Sequence, residues 1–80
     1  MIDCLRDLKV GAKGRVIGLC CRGPIRRRLL DIGLTKGTVV ECLGRAPSGD
    51  PSAFWIRGAA IAIRGEDSRY ILIEEVEEWD

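Results

Sequence analysis

Residues 23–38 read G-P-I-R-R-R-L-L-D-I-G-L-T-K-G-T, a short helix with its start, stop and following turn spelled out, in a chain that otherwise favours strands. Gly23 suits the N-terminal cap, and Pro24 suits the first helical position, where a missing N–H costs nothing. Gly33 suits the left-handed residue that closes a helix, and Thr35-Lys36-Gly37 has the composition of a tight turn. A two-turn helix is not stable alone in water, so a sheet or barrel must hold it.

The strands around it are short. Arg15 to Cys21 is β-branched and apolar, with Gly18 marking a possible bulge site, and Thr38 to Arg45 follows the helix. Residues 46–52 form a loop with two prolines and a glycine. Residues 53–57 and 59–63 are expected to pair as a hairpin around Gly58, Gly65 to Ser68 makes a turn or a single helical turn, and residues 70–73 close the sheet. Before these, Leu5 to Val10 is a short apolar lead-in ending in the turn at residues 11–14. About five strands with one helix between the first two predict a mainly β fold, a small closed or nearly closed SH3-like barrel, since closure removes exposed edges.

Eighty residues allow one domain, and a chain this size hides only about 60–65% of its unfolded surface. The aromatic residues are Phe54, Trp55, Tyr70 and Trp79, so the core must come from Val, Ile and Leu. Residues 74–80 are expected to be an acidic C-terminal tail. The net charge of +1 conceals a balance of +6 in residues 1–40 and −5 in residues 41–80. A protein built mainly to hold nucleic acid usually carries a larger basic excess. No apolar run approaches the roughly 20 residues that span a bilayer, and no export signal opens the chain, so the cytoplasm is the expected compartment.

Catalytic chemistry is poorly served. There is no histidine, no G-x-x-x-x-G-K-S/T phosphate loop, and no base spaced to activate a serine or threonine. No catalytic residue and no cofactor are assigned. Cys20 and Cys21 are adjacent, and neighbours on a strand point to opposite faces, which is poor geometry for one ion. Pairing of either with Cys42 across strands is conceivable, but small apolar fillers account for them better, and no metal ligand is assigned.

At about 100° per residue, Ile25, Leu29 and Ile32 form the helix stripe that should face the barrel, and Leu30 lies beside Arg26. Arg27 and Asp31, four apart, are placed to pair. Two readings fit the remaining surface: a solvated polar face with Leu30 at the core margin, or a docking patch of apolar anchor and arginines. The candidate partner-binding residues are Arg22, Arg26, Arg27, Leu29 and Leu30.

The chain resembles the FeoA family, small cytosolic components of the bacterial ferrous iron transport system. The resemblance rests on R-R-L-L-D-I-G-L-T-K-G-T at 27–38, A-P-S-G-D-P at 46–51, and I-A-I-R-G-E-D at 61–67 followed by Ile71 and Ile73. L-R-D-L-K-V-G at 5–11 is also similar. Ser48 and Ser52 stand where the family more often has aliphatic residues. The resemblance implies an SH3-like barrel and an accessory role beside FeoB, the large membrane transporter, docking on its cytosolic part. Four clustered arginines also suit an anionic membrane surface, at about 1 kcal/mol each. Two other readings are a small-barrel nucleic-acid-binding module and a detached SH3-like domain of an iron-dependent regulator. No specific nucleic acid is expected, because no aromatic stacking platform accompanies the arginines.

Overall fold

Alternation along the strands builds the core. In β3 (Val39–Arg45) Val40 and Cys42 point inward, in β4 (Ser52–Ile56) Phe54 and Ile56 do, and in β6 (Ile71–Val76) Ile71 and Ile73 do. Leu5, Leu8, Val16, Leu29, Leu34 and Ile63 complete one buried cluster. The computed structural model describes residues 2–77, and Trp79 lies outside them. β1 (Ile2–Cys4), β2 (Lys13–Leu19) and β5 (Ala59–Ile63) complete a six-stranded antiparallel sheet in the order β1-β6-β2-β3-β4-β5. Helix α1 (Gly23–Asp31) sits between β2 and β3, and a one-turn helix α2 (Gly65–Ser68) precedes β6.

Six strands replace the expected five. The extra one, β1, pairs with β6 through only three residues, Ile2, Asp3 and Cys4. It is too short to show alternation, and two of its three residues are poor strand formers or neutral. Within the apolar lead-in, Leu5–Asp7 is a single 3-10 turn. The acidic segment begins inside the sheet: Glu74, Glu75 and Val76 belong to β6, and Glu74 lies opposite Arg15 with Oε1 3.5 Å from its Nη1.

Two bulges curl the sheet. Ile17 is the extra residue between Val16↔Ile73 and Gly18↔Leu72, as Gly18 suggested, and Leu43 is the extra residue between Cys42↔Phe54 and Gly44↔Ala53. The Leu43 bulge resets the side-chain alternation and sets Arg45 opposite Ser52. There its guanidinium donates to Ser52 Oγ at 2.6 Å and to the Leu8 carbonyl. Gly14 allows the close approach of β6, since a Cβ there would stand 2.7 Å from Ile73 Cδ1. The 3-10 turn and α2 meet beside the sheet, and Asp50 Oδ1 accepts the Gly65 N–H at 2.6 Å, fastening loop 46–51 to α2.

Candidate functional site

The arginines of α1 are displayed by a helix whose two ends are set by glycine. Gly23 has φ +70°, so the regular helical dihedrals begin at Pro24, and the hydrogen-bond pattern begins one residue earlier. No side chain caps this end; Arg22 precedes it in extended conformation, φ −135° and ψ 167°. At the other end Gly33 takes φ +106°, its N–H donates to the Leu30 carbonyl at 3.0 Å, and the Leu34 N–H donates to the Leu29 carbonyl at 3.1 Å. That crossed pair is a Schellman closure, and Leu29 and Leu34 pack together with the core behind it.

The expected inner stripe is present. Leu29 is 2% exposed, and Ile25 and Ile32 are half-buried against the core. Leu29 therefore leaves the partner-binding set, because a side chain sealed in the core cannot touch a partner while the domain is folded. Leu30 is half-buried and stays in it. It lines a shallow hollow with Gly23, Arg26, Arg27 and Asp31. Arg26 also borders a second hollow with Leu19, Cys20, Cys21 and Arg22. One ledge thus runs from Arg22 through Arg26 to Arg27 and Leu30.

The charges on this ledge are largely free. Arg26 donates to the Leu19 carbonyl at 3.3 Å, which holds its side chain across the helix entry without neutralising it. Among the described residues neither Arg22 nor Arg27 has an ion-pair or hydrogen-bond partner, and the expected Arg27–Asp31 pair is not formed. Arg28 is different: its Nη2 lies 2.9 Å from Asp67 Oδ2, tying α1 to α2. With the Arg28 side chain 60% exposed, this pair is worth no more than about 1 kcal/mol. Sequence reasoning did not anticipate that pair, since its members are 39 residues apart.

The four cysteines are dispersed in environment. Cys42 is buried, Cys21 packs against the core, Cys20 is exposed, and Cys4 donates to Asp7 Oδ2 at 3.1 Å. Burial, then the hydrogen bond and charge of Asp7, push the Cys4 thiol pKa upward. Among the described residues no three His, Cys, Asp or Glu side chains converge, and no helix is long and apolar enough to cross a membrane. Arg69 stacks on Tyr70, 4.6 Å from the ring centroid, which occupies that aromatic face.

Comparison with known proteins places these features in company. The family model described as "FeoA domain" matches residues 4–75. A FeoA-like protein from Clostridium acetobutylicum superposes with TM-score 0.89 at 32% identity, over 99% of this chain and 92% of that one. A zinc complex of Stenotrophomonas maltophilia FeoA gives TM-score 0.79 at 21% identity, over 89% of this chain and 88% of that one. Its description calls it a prokaryotic SH3 domain protein and puts it forward as a ferrous iron transport activating factor. A manganese-dependent transcriptional repressor shares the fold, with TM-score 0.82 at 17% identity over 94% of this chain and 42% of that one. No curated protein matches the chain.

Proposed function

The chain belongs to the FeoA family, and we propose that it serves ferrous iron transport as a non-enzymatic accessory protein docking on the cytosolic part of an FeoB-like membrane transporter. The contact surface is the ledge of Arg22, Arg26, Arg27 and Leu30. The observation carrying this reading is the state of those side chains: three guanidinium groups without ion pairs among the described residues, around a half-buried leucine. Arginines and a central apolar anchor are the composition of contact patches, and charge on the rim steers approach while the anchor holds the complex. Working beside a membrane transporter places the protein at the inner face of the membrane. There the arginines gain about 1 kcal/mol each from anionic lipid, enough to orient a docked protein but too little to anchor it alone.

The test is chemical-shift mapping of the labelled protein against the cytosolic domain of its transporter. The expected result is perturbation along residues 22–30. Arg26→Glu with Arg27→Glu abolishes binding and leaves the core amide spectrum unchanged, while Leu30→Gln weakens binding without loss of stability. Perturbations confined to another face, or binding untouched by the double charge reversal, refute the surface. A nucleic-acid reader would instead show affinity for oligonucleotides falling steeply with salt.

A further inference from the structure

Strand β5 ends the sheet. β4 holds one side of it, and among the described residues no strand pairs with the other. Its sequence, Ala59-Ala60-Ile61-Ala62-Ile63, has no charge and no proline, and its register with β4 is unbroken from Ser52↔Ile63 to Ile56↔Ala59. Those are the devices by which proteins blunt an edge, and β5 has none of them. The opposite edge, β1, is three residues long and carries Asp3.

The hairpin turn determines which groups face outward. Arg57 and Gly58 have φ of +48° and +87°, the pattern of a two-residue type I′ turn. Ile56 and Ala59 are then a hydrogen-bonded pair, and by alternation so are Phe54 with Ile61 and Ser52 with Ile63. The N–H and C=O groups of Ala60 and Ala62 therefore point to the open edge.

Beside that edge runs a groove between β5 and α1, floored by Leu29, Ile32, Ile61 and Ile63 and bordered by the Arg28–Asp67 pair. Arg64 and Glu66 stand at the end where β5 finishes. Near the other end is Arg57, whose Cδ lies over Gly33, just beyond Ile32. Among the described residues Arg57 has no ion-pair partner. A second copy fits this edge badly. Two-fold antiparallel pairing about Ile61 sets Arg64 of one copy against Gly58 of the other, next to Arg57, so cations meet at both ends of the seam.

We propose that the free edge of β5 receives an extended segment of another protein as a seventh, antiparallel strand, apolar on its groove side and carrying a carboxylate at its C-terminal end. Antiparallel pairing brings that end beside the start of β5, where Arg57 has no ion-pair partner among the described residues, whereas at the opposite end the charge of Arg64 is offset by Glu66. Main-chain bonds to Ala60 and Ala62 supply affinity, and the groove and Arg57 supply selectivity. This surface is separate from the arginine ledge of α1.

The probe is an N-acetylated hexapeptide of alternating valine and threonine ending in two glutamates, titrated into the ¹⁵N-labelled full chain. Saturable shifts at the Ala60 and Ala62 amides are expected. Binding should weaken at least tenfold for the same peptide ending in two lysines, or with its alternate amides methylated. Ala60→Pro removes an outward N–H and spares the ladder to β4, so it should abolish binding with the core spectrum intact. Arg57→Glu should reverse the preference toward the lysine peptide, and it keeps the test decisive if the proline variant does not fold. No shift at Ala60 or Ala62 up to about millimolar peptide overturns the proposal, as does concentration-dependent self-association through β5. Shifts confined to residues 22–30 also overturn it without touching the docking proposal for α1, and loss of transporter binding leaves the β5 result standing.

Discussion

Arg45 and Ser52 illustrate how a single residue choice is decided by its neighbours. Ser52 is 5% exposed, in a strand position whose neighbours Phe54 and Ile56 are core residues. The hydroxyl is satisfied because the bulge at Leu43 sets Arg45 opposite Ser52, where its guanidinium donates to the hydroxyl and to the Leu8 carbonyl. Arg45→Ala leaves both acceptors at a nearly closed site, so it should cost about 1–3 kcal/mol in urea unfolding. Ser52→Ala should cost less, because the arginine keeps its carbonyl partner. A loss for Arg45→Ala no larger than that for Ser52→Ala would show that the clamp contributes nothing.

At the scale of elements, α1 is short, and its closure carries much of its definition. Gly33 holds φ +106°, and a Cβ there would meet Arg57 Cδ at 2.7 Å. The arginine stem can move aside, so the main penalty of Gly33→Ala is the left-handed backbone, about 1–2 kcal/mol, measured as a lowered Tm with weaker helical circular dichroism. This end of the helix was legible in the sequence because Gly33 acts locally, as the left-handed residue that closes a helix. So were the hairpin at Gly58 and the inward Ile25, Leu29 and Ile32 stripe, which follow from period and turn chemistry. β1 was not, since three residues carry no period. Of the candidate site, helical angles gave only the neighbourhood of Leu30 and Arg26; Arg22 precedes the helix, where no angle places it. Which arginine is neutralised was not legible: the sequence suggested Arg27 with Asp31, and the fold instead joins Arg28 to Asp67 across 39 residues. Long-range partners depend on where α2 lands, and no local rule supplies that.

For the molecule as a whole, α2 is a hub much smaller than its influence. Asp50 holds its first N–H, Asp67 holds Arg28, and the 3-10 turn at Leu5–Asp7 lies against it. Loop 46–51, α1 and the N-terminal turn thus share one four-residue support. Meanwhile α1 contributes just one fully buried side chain, Leu29. A helix fastened at so few points is expected to open on its own before the sheet does, because local stability follows buried contacts rather than the global free energy. Asp67→Asn should therefore speed amide hydrogen exchange at Ile32 and Gly33 severalfold while exchange in β3 and β4 stays at the global rate. Equal acceleration in helix and sheet would mean that the domain breathes only as one unit. The arginines proposed to meet a partner would then ride on a rigid body, with no private freedom to lift toward whatever they touch.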